Sequence, residues 1–123
     1  MEFYRPLTAL LGLSCFAGWD CVEYVPNALM GCEPGHPAMG RIVELAIERH
    51  HLGTWPAGVG VTSEVLKGRD DVVLFPPGSF YPIFWRDAHK GRTNWAQVPI
   101  DQPWAYAAHR AHHSWRDAGK RTP

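Results

Sequence analysis

The sequence predicts an α/β domain. Short apolar segments of strand type occur at Cys15 to Trp19 and at Val72 to Phe75. Between them, a segment that opens at Pro37 repeats its apolar residues at helical spacing. The predicted order is strand, strand, helix, strand and C-terminal helix, which is an α/β pattern. A sheet of three or four strands with these helices offers few ways to cover both of its faces, so we expect an incomplete part of a larger sheet.

The first third of the chain is predicted to be strand-rich. Residues 6–12 are predicted to form a short helical turn, because proline is suited to the start of a helix. Cys15 to Trp19 is short, aromatic and bounded by glycine, which favours a strand. Tyr24 to Met30 is apolar around Asn27 and also predicts a strand. Gly31 to Pro37 holds two glycines and two prolines, which predicts a loop.

The central helix has the clearest pattern. Pro37 fits the first helical turn, and Gly53 is a natural stop signal. One face of this helix is predicted to be apolar, formed by Met39, Ile42, Val43, Ala46 and Ile47. His50 and His51 at its end are favourable helix C-terminal residues. After a further segment rich in glycine and proline, Thr62 to Lys67 is predicted to form one or two helical turns.

The last third is predicted to hold a strand and a helix. Val72 to Phe75 has the composition of a buried strand, and the following prolines end it. Phe80 to Trp85 contains a proline, which favours an edge strand or an ordered loop. Pro103 to Arg116 is predicted to be a helix whose stripe includes Trp104, Ala108, Ala111 and Trp115. Residues 117–123 are expected to fray.

Composition points to one globular domain spanning residues 1–123. Apolar residues make up 46% of the chain, and acidic and basic residues balance at 12 each. No charge field favours nucleic acid or an anionic membrane surface as a partner. The longest apolar run, Leu7 to Leu13, is too short to span a bilayer, and no signal peptide is visible.

The three cysteines, Cys15, Cys21 and Cys32, favour a reduced, cytoplasmic protein. Their odd number and the absence of paired CxxC spacing argue against a disulfide framework or a thiolate zinc site. Six tryptophans are unusual in so short a chain. They either fill the core or line a sugar or nucleotide site, and the sequence leaves both alternatives open.

Three histidines near the C-terminus form a candidate metal site. His109, His112 and His113 would share one face of the predicted C-terminal helix, where two imidazoles four residues apart can bind one metal ion. The cluster contains no carboxylate, so a solvated polar face is the simpler alternative. A small histidine-based metal-binding module, or a partner-binding scaffold without catalytic activity, therefore stays open.

Several weak motifs gain meaning from their order. Asn27-Ala28 precedes Gly31 and the segment Pro34 to Pro37, and Phe75-Pro76 precedes Phe80-Tyr81-Pro82. The chain then closes with Ala107-Ala108-His109 and Ser114-Trp115. This order resembles glycosyltransferase family 32, the sugar-binding-region enzymes with a DXD motif. That family includes Och1-type mannosyltransferases and bacterial capsular-polysaccharide transferases.

The resemblance implies the C-terminal half of a GT-A fold, with a nucleotide-sugar donor, a glycan or other acceptor, and a divalent cation, Mn²⁺ or Mg²⁺. In such enzymes an Asp-x-Asp motif holds the metal that neutralises the leaving diphosphate. By resemblance, His109 is a late metal ligand. Ser114 and the indole of Trp115 donate hydrogen bonds to the diphosphate. Asn27 lies near the sugar or acceptor.

Two departures from the family shape the expectation for function. No Asp-x-Asp occurs in the sequence, and the adjacent pair Asp70-Asp71 lies in the wrong place. In the family, the motif stands immediately before a segment like the one from Glu2 to Leu7. We therefore expect an N-terminally truncated enzyme, either a fragment or one part of a split enzyme whose other half is encoded separately. We expect little transferase activity in the isolated chain. In addition, Arg110-Ala111 follow His109 where family members often have His-Trp.

Overall fold

The computed structural model describes residues 1–20, 23–88, 91 and 93–110. Its strands are β1 (Glu2–Phe3), β2 (Cys15–Gly18), β3 (Gly31–Cys32), β4 (Val73–Phe75) and β5 (Ala107–Ala108). Its α-helices are α1 (Pro37–Arg49), α2 (Thr54–Ala57), α3 (Val59–Leu66), α4 (Trp85–Ala88) and α5 (Val98–Asp101). Single 3-10 turns lie at Leu7–Leu10 and His50–Leu52. The predicted α/β class is confirmed at this level.

Two small sheets organise these strands. In the larger sheet β2 is central: it pairs antiparallel with β3 and parallel with β4. The chain between β2 and β4 contains α1, α2 and α3, as expected for a parallel connection. The second sheet joins the two ends of the described chain, because β1 pairs antiparallel with β5.

The larger sheet separates two apolar clusters. Side chains alternate along a strand, so Cys15 and Ala17 of β2 face one side and Phe16 faces the other. The first side packs against α1 and α3, where Ile42, Leu45, Val61 and Leu66 are buried. On the second side, Phe16 packs in a cluster built around Leu10, Phe80 and Tyr81.

The central helix begins and ends where the sequence predicts, but the predicted apolar face is wrong in part. Val43 and Ile47 are exposed, whereas Leu45 is buried with Ile42. His36 is its N-cap residue: its ring Nδ1 accepts a hydrogen bond from the backbone N–H of Ala38 at 3.2 Å. After Arg49, the chain tightens into the 3-10 turn at His50–Leu52 and stops at Gly53, whose φ is 109°. His50 contacts the helix end as expected, with its Nδ1 2.7 Å from the carbonyl oxygen of Ile47.

Two strand predictions need correction. Tyr24 to Met30 is not a strand; the ladder partner of β2 is Gly31–Cys32, inside the predicted loop. The reason is that buried hydroxyl groups on α3, described below, take the hydrogen bonds of Val25 that a neighbouring strand would need. Val72 to Phe75 does contain β4, but Val73 is 44% exposed because β4 lies at the edge of its sheet.

The prediction of a helix from Pro103 is wrong as far as residue 110. The segment instead forms β5 and runs beside residues 79–80: Tyr106 N–H donates to the carbonyl of Ser79 at 2.7 Å, and His109 N–H to that of Phe80 at 3.3 Å. These backbone bonds are incompatible with a helical ladder. Trp104 and Ala108 therefore do not share a helix stripe. Residues 111–116 and the tail predicted to fray lie outside the described residues.

Within the described ranges, no helix combines the length and apolar character needed to cross a membrane.

Candidate functional site

A cleft of about 680 Å³ lies where four segments of the chain meet. Asp20 and residues of the loop from Glu23 to Leu29 form one side, and the junction of α2 and α3 forms another. The segment from Tyr81 to Arg86 and the side chain of His109 complete it. The cleft therefore combines residues from both halves of the sequence.

One end of the loop is held by two hydroxyl groups of α3. The backbone N–H of Val25 donates to Oγ of Ser63 at 2.9 Å, and the carbonyl of Val25 accepts from Oγ1 of Thr62 at 2.6 Å. All three residues are buried, with Val25 at 0% exposure. Because buried backbone groups need partners, these two side chains fix the path of the chain immediately before Asn27.

The other end of the loop is held by Tyr81. Its hydroxyl accepts a hydrogen bond from the backbone N–H of Leu29 at 3.2 Å and donates one to the carbonyl of Pro26 at 3.4 Å. Burial raises the pKa of Tyr81 to about 12, so the phenol stays protonated and able to donate at neutral pH. Asn27 thus sits between two anchored points.

A glycine lets the Asn27 side chain approach the helices. A Cβ atom on Gly58 would lie 3.3 Å from Nδ2 of Asn27 and only 2.8 Å from the backbone oxygen of Thr54. Gly58 is the residue between α2 and α3, and a larger side chain there would clash with the backbone of α2 and crowd the Asn27 amide. The close approach positions the Asn27 amide at the cleft wall.

Aromatic rings form much of the cleft lining. Tyr24 and Trp55 meet edge to face with ring centroids 5.3 Å apart. Phe84 and Trp85 form a second pair at 5.6 Å, and the guanidinium of Arg86 lies 5.2 Å from the Trp85 ring centroid. Such rings offer flat apolar faces beside polar groups, which is typical of small-molecule sites.

His109 enters the cleft beside Tyr81. The two rings meet edge to face with centroids 6.1 Å apart, and the backbone of His109 is bonded to Phe80. Tyr81 therefore contacts both the loop that carries Asn27 and the imidazole of His109. Its ring is the physical link between these two parts of the site.

The charges at the cleft are mixed. Asp20 and Glu23 contribute carboxylates, and Arg86 contributes a guanidinium. Asp20 also shapes the loop, because its Oδ1 accepts from the backbone N–H of Tyr24 at 3.3 Å. Among the described residues of the lining, carboxylates outnumber guanidinium groups, which suits a neutral polar ligand better than a strongly anionic one.

The described residues do not assemble a metal site. Across residues 1–20, 23–88, 91 and 93–110, no three side chains of His, Cys, Asp or Glu converge so that they could hold a metal ion. The divalent cation implied by the family resemblance stays a prediction, and His112 and His113 lie outside the described residues.

The predicted site residues have different outcomes. Asn27 and His109, which are far apart in sequence, line the same cleft. His109 does not lie on a helix. The prediction that it shares a helical face with His112 and His113 is therefore wrong for His109. Ser114 and Trp115, together with His112 and His113, lie outside the described residues.

Only some of the described tryptophans follow either alternative, because Trp104 is 53% exposed and lies outside the cleft. Trp55 and Trp85 line the cleft, whereas Trp19 is partly buried against the core. Trp95 lies under Arg110, whose guanidinium is 5.3 Å from the ring centroid. Trp115 falls outside the described part of the chain.

Sequence reasoning missed the residues that support the cleft. The sequence predicts only that Thr62 begins a helical segment, and it predicts no supporting role for Ser63 or Tyr81. A serine and a threonine side by side on a predominantly apolar helix are the available signal, because buried hydroxyls need partners. His36 was assigned to a loop, but it caps α1 and its Nε2 lies 3.2 Å from the backbone oxygen of Asp71.

Comparison of the chain with protein-family models, with curated proteins and with solved structures gives no match. The expectation of a glycosyltransferase therefore depends on the order of the sequence motifs and on the cleft that two of their residues share.

Proposed function

We propose that the cleft binds a sugar, as part of a glycosyltransferase similar to family 32 that moves a sugar from a nucleotide-sugar donor to a glycan acceptor. The observation that carries this proposal is that Asn27 and His109 line one cleft. Both residues are predicted from the order of the sequence motifs, and nothing local in the sequence places them together.

The chemistry of the lining suits a sugar. The Asn27 amide and the cleft carboxylates offer the donors and acceptors that ring hydroxyl groups require. The rings of Trp55 and Trp85 offer flat apolar surfaces for the C–H faces of the same ligand. A ligand with hydroxyl groups at its edge and C–H groups on its faces uses both kinds of surface.

The charges of the cleft lining favour a neutral sugar over a diphosphate. Asp20 and Glu23 oppose the entry of a group with several negative charges, and Arg86 offsets them only in part. We therefore assign this cleft to the sugar or the glycan acceptor. In the proposed enzyme the diphosphate is neutralised by groups other than these.

Ligand titration followed by tryptophan fluorescence tests the proposal, because Trp55 and Trp85 are reporters inside the cleft. The probes are GDP-mannose, UDP-glucose and the free sugars, with GDP and UDP alone for comparison. We expect a sugar-dependent change in fluorescence that saturates. The Asn27→Ala and His109→Ala variants should each weaken binding about tenfold, the effect of losing one good hydrogen bond.

Matched controls are available elsewhere on the surface. Asn94→Ala and His51→Ala remove the same side-chain types from exposed positions outside the cleft and should leave binding unchanged. The proposal is overturned if none of the sugars or nucleotide sugars changes the fluorescence. It is equally overturned if the cleft and control variants bind alike.

A further inference from the structure

Cys15 and Cys32 lie directly opposite each other in the ladder between β2 and β3. Residues at opposed positions of an antiparallel pair project their side chains from the same face of the sheet. Both thiols are free. The two sulfur atoms are thus carried by neighbouring strands at the same level of the sheet.

The hydrogen bonds show which type of cross-strand pair this is. The backbone N–H of Glu33 donates to the carbonyl of Ser14 at 2.8 Å, which makes residues 14 and 33 the bonded pair. Bonded and non-bonded pairs alternate along an antiparallel ladder, so Cys15 and Cys32 form a non-hydrogen-bonded pair. The Cα atoms of such pairs lie about 4.5 Å apart. A disulfide accepts separations of about 4.4–6.8 Å.

The two thiols differ in their exposure to solvent. Cys15 is buried in the cluster beneath α1, at 1% exposure, whereas Cys32 is exposed. Burial raises the pKa of Cys15, and the neighbouring Cys32 and Asp71 raise it further. Cys32 is therefore the thiol that meets reagents from solution, and Cys15 is the partner that reacts second.

We propose that Cys15 and Cys32 form a reversible cross-strand disulfide by thiol–disulfide exchange with a small-molecule disulfide such as oxidised glutathione. The Cys32 thiolate attacks one sulfur of glutathione disulfide and releases one glutathione thiolate. Cys15 then gives its proton to solvent and attacks the Cys32 sulfur of the mixed disulfide, which expels the second glutathione. The protein loses two hydrogens, and one glutathione disulfide becomes two glutathione thiols.

The position of this pair connects it to the cleft. In the sequence, Cys15 and Cys32 lie on either side of the loop whose residues Tyr24, Asn27 and Ala28 line the cleft. A bond between them closes that loop covalently at its base. The inference is independent of the sugar-binding proposal, because it depends only on the strand register and on the exposure of Cys32.

The test uses the full chain carrying Cys21→Ser, so that Cys15 and Cys32 are the only cysteines. The protein is equilibrated with mixtures of oxidised and reduced glutathione, the remaining thiols are alkylated, and the products are identified by mass. We expect oxidation to remove two hydrogens, to protect both thiols and to reverse on addition of excess reduced glutathione. The oxidised form should melt roughly 10 °C higher, the size expected for closing a short loop.

The control carries Cys32→Ser in the same background, a change at an exposed position that should not disturb the core. It should show neither the loss of two hydrogens nor the rise in melting temperature. A product that stops at glutathione attached to Cys32 would overturn the proposal. So would a chain in which both thiols stay open to alkylation across all glutathione mixtures.

Discussion

The hydroxyl of Tyr81 accepts a hydrogen bond from the backbone N–H of Leu29 at 3.2 Å, across a sequence separation of 52 residues. The same hydroxyl donates to the carbonyl of Pro26, so one side chain satisfies two backbone groups of the loop that carries Asn27. Tyr81 is 7% exposed, and water has little access to replace it.

Removing this hydroxyl should lower the stability of the protein and loosen the loop that lines the cleft. Tyr81→Phe keeps the ring but leaves the Leu29 N–H and the Pro26 carbonyl without this partner, which should lower the free energy of unfolding by about 1–3 kcal/mol. Urea unfolding followed by circular dichroism measures the change. Tyr106→Phe is the matched control, since it keeps the ring that packs against Phe75 and Phe80. Equal losses in the two variants would contradict the role of the Tyr81 hydroxyl.

Tyr81 should also make stability depend on pH in the alkaline range. Its pKa is raised from 10.0 to about 12, chiefly by burial. The unfolded chain loses this proton at a lower pH than the folded chain, so the stabilising contribution is complete below pH 10 and is lost as the pH rises towards 12. The full loss is about 2–3 kcal/mol.

The measurement compares urea unfolding at pH 9 and near pH 11.5 in the original chain and in Tyr81→Phe. Other groups titrate in both proteins and cancel in the difference. The variant should lose less stability over this interval than the original chain. A parallel decline in the two proteins would show that the Tyr81 phenol does not contribute.

The two hydroxyls of α3 should contribute unequally. Ser63→Ala removes the acceptor of the buried Val25 N–H and should cost about 1–3 kcal/mol. Thr62→Val should cost less, because Oγ of Ser63 still lies 3.4 Å from the Val25 carbonyl. Since both side chains serve the same residue, the double variant should lose more than the sum of the single losses. Chemical denaturation of the four proteins gives the coupling, and strict additivity would count against shared support of Val25.

His36 should stabilise α1 through its ring. His36→Ala removes the ring nitrogen that accepts from the Ala38 N–H, and also the contact with Asp71. This should lower the free energy of unfolding by about 1–3 kcal/mol. His36→Asn offers a good N-cap acceptor on a shorter side chain and should recover part of this loss. Thermal and urea unfolding rank the three proteins. An asparagine variant no more stable than the alanine variant would exclude capping as the source of the effect.

Gly18 should not accept a side chain. A Cβ atom there would lie 2.5 Å from Cδ2 of Phe80, which is fully buried. Gly18→Ala should therefore destabilise the chain by about 1–3 kcal/mol through overpacking. Gly12→Ala is the control, because no atom lies within 4 Å of its added Cβ. The melting temperature should fall only in the Gly18 variant, and two equal shifts would rule out the predicted clash.

Sequence patterns predicted the elements that are stabilised by interactions between residues close in sequence. The helix at Pro37–Arg49 has a proline in its first turn, a regular apolar spacing and a glycine stop, and each of these acts within a few residues. The strand at Cys15–Gly18 was likewise visible as a short apolar segment. Of the candidate site residues, Asn27 and His109 were selected from motif order, although nothing local showed that they meet.

The wrong predictions concern segments whose backbone hydrogen-bond partners are distant in sequence. Val25 has a strand-like neighbourhood, but hydroxyls of Thr62 and Ser63 take its backbone bonds. The segment after Pro103 has helical spacing, but its amides donate to the carbonyls of Ser79 and Phe80. Local spacing carries no information about such partners.

By itself, the sequence therefore determined the α/β class, the central helix and the central strand, because periodicity, capping and turn residues act over short distances. Only the tertiary structure decided that Asn27 and His109 share a cleft, that Tyr81 joins its two sides, and that Cys15 faces Cys32. Those relationships depend on strand register and on buried hydrogen bonds between distant segments, which form only when the whole chain is packed.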